Sequence, residues 1–432
     1  MGPGGRPAAS ASTRKDPAAF FAAAHRLLGE GGQDNLTVAS LCDRLGVSKG
    51  SFYHHFDDMN AFVDRFAAAW GAWMEQLFVQ LGEAADPRRR LEFAANEAFV
   101  VMSPAVQAMR AWGRTNPRIA EAFTSPERTW WKTAVGTFAD VAEDEVSGQI
   151  ITTMNNAVSI GFLTRPRRLE RERYVRLLAL LYRSYGVGTD LARCDGRAQL
   201  EVLSWDRSQV RRLDPDPLPT PDVPVTPATA PTIRGHTQGP VCGKDDYYLA
   251  ATELLGEQGP GAVTVTGLAR KLGVSTGSFQ HHFGSQAHFV ESYVADRLRT
   301  ENAEIRSFAR ERNPLRRMEF LLSEMLIGPD PAETAWRAWG HTNPVVGAAI
   351  RRLDKLREQA LAEAIGQSVP GLDSAATAEL TLGFALGLRR EAPPFGQELR
   401  TRTALEWMRR VLGVDAALRT EDGLPRLTVS PA

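Results

Sequence analysis

The chain has 432 residues and carries 51 Lys plus Arg against 51 Asp plus Glu, a formal charge of zero. Whole-molecule charge steering toward nucleic acid or a membrane surface is therefore excluded, and any such patch is local. Hydrophobic residues make up 43% and charged residues 24%, the balance of a globular protein, and the length corresponds to about two to four domains. The three cysteines, Cys42, Cys194 and Cys242, are far apart, which excludes a disulfide framework and a thiolate metal site and fits a reducing cytosol.

Residues 1–15, rich in Gly, Pro, Ala and Ser, read as a disordered tail with no signal-peptide core. No apolar run approaches the roughly 18 residues of a membrane span. Asp16-Pro17 predicts an N-cap followed by Pro at the first helical position, and Gly31-Gly32 a helix end. Thr37 caps a short helix carrying Val38, Leu41, Cys42 and Leu45, which Gly46 breaks. Ser48 starts a third short helix through His55, and a long amphipathic helix follows from about Asp58. Asp86-Pro87, Asn116-Pro117 and Ser125-Pro126 each predict a further helix start. No alternating strand pattern of useful length is visible, so the predicted class is all-α.

The segment LGVSKGSFYHHF from Leu45 recurs as LGVSTGSFQHHF from Leu272, identical at ten of twelve positions with an offset of 227. AWGRTNP from Ala111 and AWGHTNP from Ala338 keep the same offset. The chain is thus a tandem duplication of a unit of roughly 200 residues, too long a period for a solenoid. The predicted domains are 16–75 and 241–302, each a helix-turn-helix domain, and 76–204 and 303–418, each a helical domain. A linker spans 205–240 and a tail 419–432. The linker has eight prolines in its last 28 residues, so it is extended and semi-rigid.

Thr37 to Phe56 has the arithmetic of a helix-turn-helix, with Val47 and Phe52 pinning the second helix and Ser48, Lys49, Ser51, Tyr53 and His54 pointing outward. Thr37-Val38 with Leu41, the LGVSKGSFYHHF run and Phe62, together with the second copy from Thr264-Val265 to Phe289, resemble the DNA-binding domain of tetracycline-repressor (TetR) family regulators. That resemblance implies three helices for DNA binding, a connecting fourth, and further helices for a ligand pocket and a dimer interface. It implies DNA contact by Thr37, Ser48, Lys49, Gly50, Ser51, Tyr53 and His54, and by Thr264, Ser275, Thr276, Gly277, Ser278, Gln280 and His281. The family usually carries lysine where this chain has Met59 and Gln286, and Gln280 replaces a phosphate-binding tyrosine. Residues 14–70 hold six basic and seven acidic side chains, and residues 241–297 hold four and six.

Phe93, Phe99, Met102, Met109, Trp112, Phe123, Trp130 and Trp131 either line a pocket for an apolar small molecule or form helix-bundle core. The pairs His54-His55 and His281-His282 do not suit one metal ion, because adjacent helical residues point about 100° apart. No cofactor motif or catalytic motif is present, so no metal, no cofactor and no enzyme activity is expected. The arginines from Arg165 to Arg176 read as a solvated helix face.

The expected partners are a double-stranded DNA operator with unequal half-sites and an apolar effector, with both protomers fused as an intramolecular pseudo-dimer. The helices near 145–162 and 170–186 should pack on those near 373–388 and 398–413. Ile150, Met154, Val158, Leu178 and Leu181 would face Leu380, Phe384, Leu405 and Met408. A second reading, suggested by the acidic windows, is a helical small-molecule- or partner-binding module whose reading heads have lost DNA.

Overall fold

In the computed structural model, the residues described are 16–83, 86, 90, 104–113, 116–142, 144–166, 170–186, 242–326, 330–390, 396–421 and 424–431. The expected tail at 1–15 and linker at 205–240 lie outside them, as do Phe93, Phe99, Met102 and Cys194. The described residues form α1 (Pro17–Gly31), α2 (Val38–Leu45), α3 (Lys49–Tyr53), α4 (Met59–Glu83), α5 (Pro104–Gly113) and α6 (Pro117–Ala142). Then come α7 (Glu145–Thr164), α8 (Arg171–Ser184), α9 (Lys244–Gln258), α10 (Val265–Leu272), α11 (Thr276–Phe283) and α12 (Gln286–Phe308). The last are α13 (Pro314–Leu326), α14 (Pro331–Gly340), α15 (Pro344–Ser368), α16 (Ser374–Arg390) and α17 (Gly396–Arg410), then β1 (Val414–Glu421) and β2 (Leu424–Pro431). Among the described residues the architecture is all-α apart from that hairpin.

The described residues fall into two compact units, those up to 137 in one and those from 138 onward in the other. This partition differs from the predicted domains. α4 and α12 run unbroken through the predicted boundaries at 75 and 302, and the helices from 145 to 184 bury themselves against the second half.

In the first unit, Asp16 caps α1 by accepting from Ala19 N at 3.0 Å. Asn116 caps α6 by accepting from Arg118 N at 3.1 Å. The expected start at Ser125-Pro126 is not one: Pro126 lies inside α6. Proline there deprives the Ala122 carbonyl of its intrahelical donor, and α4 packs against this point. A Cβ added to Gly71 would lie 3.0 Å from that oxygen, so the close approach of α4 accommodates the break. Farther along the same seam Trp70 meets Phe123 at 4.4 Å and Phe78 meets Trp130 at 5.3 Å. Met109 and Phe123 are buried in this core, Trp112 and Trp130 pack against it, and Trp131 is half-buried.

In the second unit, α7 crosses α16 at glycine. A Cβ on Gly161 would fall 1.7 Å from the Gly383 carbonyl oxygen, and one on Gly387 would fall 1.8 Å from that of Ala157. Only residues without side chains let the backbones approach so closely. Met154, Val158, Leu178, Leu181, Leu380, Phe384 and Met408 are buried, while Ile150 and Leu405 are half-buried. Phe384 stacks on Trp407 at 4.0 Å.

Arg165 is not part of a solvated face. It is 6% exposed, donates from Nε to Asp354 at 3.2 Å and pairs with Glu358. It joins a buried network in which Arg337 donates to Asp354 at 2.7 Å and to Glu333 at 2.9 Å. Arg357 donates to Glu301 at 2.8 Å, and Arg297 to Glu333 at 2.7 Å. Burial alone would raise the Glu333 and Asp354 carboxyls, but the guanidinium groups around them, Arg337 foremost, hold both below the ordinary carboxylate range. Arg173 likewise pairs with Glu379, Arg176 is exposed, and Arg167 and Arg168 lie outside the described residues.

The tail expected at 419–432 is instead half of an antiparallel hairpin, Val414 pairing with Pro431 and Glu421 with Leu424. Val414 and Leu427 are buried, and Val429 N donates to Glu319 of α13 at 3.4 Å. Two strands alone are marginal in water. Here the hairpin packs on α13 and α17.

Candidate nucleic-acid interface

Each head is a three-helix cluster around one aromatic core. Phe20, Phe21, Phe52, Phe56, Phe62 and Phe66 fill the first, and Tyr247, Phe279, Phe283, Phe289 and Tyr293 the second. The rings match in pose as well as type: Phe20 stands 5.7 Å from Phe52, and Tyr247 stands 5.8 Å from Phe279.

The turn that sets the crossing of the two reading helices is the same in both. Gly46 has φ +65° and Gly273 φ +68°, left-handed backbone that side-chain-bearing residues adopt at a cost. Val47 N donates to Cys42 O at 3.0 Å, and Val274 N to Ala269 O at 3.0 Å. Thr37 caps α2 by accepting from Ser40 N at 3.1 Å, and Thr264 caps α10 by accepting from Gly267 N at 3.0 Å. Both threonines are exposed.

The outer face of α3 and its approach carry Ser48, Lys49, Gly50, Tyr53 and His54, all exposed, Tyr53 at 54%. Their counterparts Ser275, Thr276, Gly277, Gln280 and His281 are exposed as well. At Gly50 and Gly277 an added Cβ would meet only a serine oxygen, at 3.6 and 3.5 Å. Internal packing therefore does not demand glycine there, and its effect is a bare backbone on the outward face.

Ser51 and Ser278 depart from the expectation of outward hydroxyls. The Ser51 hydroxyl is buried with no partner, and that of Ser278 accepts from the Tyr247 hydroxyl at 3.0 Å. Position three of the short helix turns inward with Phe52 and Phe279, so these serines belong to the support of the reading helix.

Four supporting contacts were not legible from the motif. Arg44 pairs with Glu30, and Lys271 donates to Glu257 at 2.8 Å, so each cation at the end of its helix is neutralised within its own head. Arg44 holds the Glu30 carboxyl below its ordinary range through this hydrogen bond. At the positions where lysine was expected, Gln286 donates to Val263 O at 2.7 Å and Met59 packs into the core. Both hold the start of the connecting helix to its head by other means. The offset of 227 carries the first pair as a signal, since 30 and 44 map onto 257 and 271.

Among the described residues no group of three or more His, Cys, Asp or Glu could hold a metal ion. No described helix is long and apolar enough to cross a membrane.

A threonine-capped short helix, a left-handed glycine turn and an exposed polar second helix are the parts of a helix-turn-helix DNA-binding domain. The family model for bacterial regulatory proteins of the tetR family matches residues 20–66 and 249–293, the two heads and not the helices that follow them. The chain thus carries the tetR-family DNA-binding domain twice, which matches a tandem-duplicated regulator of that type. No curated protein matches it.

Proposed function

We propose that the chain acts as a single-chain pseudo-dimeric repressor whose two heads read unequal half-sites and whose hold on DNA is altered by a small molecule. The observation that carries the reading is the crossing of α7 on α16. Gly161-Phe162 and Gly383-Phe384 are matched dipeptides when the offset of 227 is shortened by five residues in this stretch, and the two glycines touch each other. Contact between a residue and its own counterpart is the signature of an isologous interface. Fusion turns that association into an intramolecular one, with an effective concentration in the millimolar range.

The heads then sit on one operator with half-sites about one helical turn apart. Lys49 and Tyr53 face DNA from the first, and Thr276 and Gln280 from the second. The test is selection of bound genomic fragments by the purified protein, followed by sedimentation of the complex. One 47.4 kDa chain per duplex, on a site with unequal halves, is the expected result. Two chains per duplex would overturn the pseudo-dimer. Absence of binding to any duplex at low salt would favour a helical module that has lost DNA.

A further inference from the structure

The crossing of α7 on α16 is symmetric in its glycines but not in its charges. With the offset of 227 shortened by five residues, Arg165 falls on Gly387 and Ala157 on Glu379. At the full offset, Glu127 and Trp131 fall on Asp354 and Glu358 of α15. Arg165 donates to Asp354 at 3.2 Å and pairs with Glu358, and Arg173 donates to Glu379 at 2.7 Å. The first half therefore brings arginines to this face and the second half brings carboxylates, two of which have Trp131 and Ala157 as counterparts.

Two like halves meeting through the same face would each lose something. In a pair of second halves, Gly387 would stand in place of Arg165. Asp354 would keep Arg337, which donates to it at 2.7 Å, but Glu358 would lose its cation. Burial lifts the Glu358 carboxyl above its ordinary range even with Arg165 beside it, and Glu379 and Asp354 add to the rise. Removing one partner of such a pair leaves an uncompensated charge out of water, which is strongly destabilising. A pair of first halves fails for another reason. Arg165 would stand in place of Gly387, where a single added carbon falls 1.8 Å from the Ala157 carbonyl oxygen. Its guanidinium would also meet Trp131 where it now meets Glu358.

We propose that this face is a pairing code: the α15–α16 surface of the second half accepts the first half of this chain and rejects a second copy of itself. The proposal rests on the reading of the chain as a pseudo-dimer and adds what keeps the two heads of every assembly unlike. Fusion alone favours pairing within one chain but does not forbid like pairs between chains. The code does, because discrimination comes from charges left unpaired in the wrong complex as much as from contacts made in the right one.

The test uses the full chain with a site-specific protease sequence placed in the linker at 205–240. After cleavage, an isotopically labelled and an unlabelled preparation are mixed and held until unlike pairs of mixed label have formed, which shows that the halves exchange. Native mass spectrometry is then expected to find like pairs at less than about one tenth of the unlike ones. Glu358→Gln still accepts from Arg165 but leaves no charge when Arg165 is absent, so it should raise pairs of second halves at least about tenfold. Arg165→Met should weaken the unlike pair by a similar factor. Like pairs as abundant as unlike ones in wild type, or pairing as strict in E358Q as in wild type, would overturn the code and leave the pseudo-dimer standing. Halves that separate on cleavage would overturn the pseudo-dimer and the code with it.

Discussion

Phe20 and Tyr247 occupy matched positions in the two heads, and one oxygen atom separates them. The Tyr247 hydroxyl donates to Ser278, while the Ser51 hydroxyl is left buried and unpaired beneath Phe20. Phe20→Tyr should therefore stabilise the first head by about 1 kcal/mol, the net worth of a hydrogen bond made to an otherwise unmet polar group. Tyr247→Phe should cost the second head about as much. Urea unfolding of the full chain measures both, and a loss on Phe20→Tyr would mean that the first core has no room for the oxygen. A second difference makes the first head sensitive to acid. Thr252 is satisfied by the Tyr293 hydroxyl at 2.9 Å, but its counterpart is His25, whose Nε2 is buried without a partner. Burial, and then the neighbouring Arg26, lower the His25 pKa from 6.5 to about 4. The folded state keeps the ring neutral, so stability is complete above pH 6.5 and falls as the unfolded chain takes up its proton between pH 6.5 and about 4. Between pH 7 and 5 the loss should be about 2 kcal/mol, and His25→Leu should abolish it. Equal acid sensitivity in the variant would place the cause elsewhere. The serines show what a motif conceals: their recurrence in both copies was visible, but whether Ser51 faces DNA or the core depends on a helical phase that one residue can change.

At the scale of elements, the helices were legible because their ends are marked. Asp16, Thr37, Asn116, Thr264 and Asn343 all cap as side-chain chemistry requires. The two misreadings have physical reasons. Ser125-Pro126 looks like a helix start, but Pro126 lies inside α6 where α4 passes closely at Gly71. The hairpin hides in short strands whose alternation is weak. The sequence Asp422-Gly423 is a two-residue turn signal, and Asp195-Gly196 stands at the same offset of 227, a repeat that would have marked it. The crossing of α7 on α16 is the most demanding element contact. Gly161→Ala puts a carbon onto the Gly383 carbonyl, which is backbone and cannot rotate aside. The helices must separate, at about 1–3 kcal/mol for overpacking of this kind. The expected result is a lower unfolding midpoint together with weaker operator binding, although position 161 belongs to neither reading helix. Unchanged stability and binding would show that the crossing is looser than its geometry implies.

At the scale of the whole molecule, fusion removes a constraint that binds every homodimer. Two identical heads select palindromes, because each half-site meets the same side chains. This chain has kept two folds alike while letting their reading faces diverge, and a zero net charge leaves no long-range field to compensate for a weak face. The first head offers an ammonium and a phenol at Lys49 and Tyr53, and the second a hydroxyl and an amide at Thr276 and Gln280, all four exposed. Hydrogen bonds from charged donors are roughly twice as strong as neutral ones, so the first head should anchor the complex. Lys49→Ala and Tyr53→Phe should each cost more affinity than Thr276→Ala or Gln280→Ala, by a margin on the order of 1 kcal/mol. Lys49→Ala should also reduce the slope of log affinity against log salt by about one, because one phosphate-facing cation is lost, whereas Thr276→Ala should leave that slope unchanged. The comparison is made on the selected operator and on two palindromes, one built from each of its half-sites. The native order should bind best, the palindrome of the first half-site next and that of the second least. Equal affinity for all three duplexes, or equal losses from both heads, would show that the divergence of the reading faces carries no information.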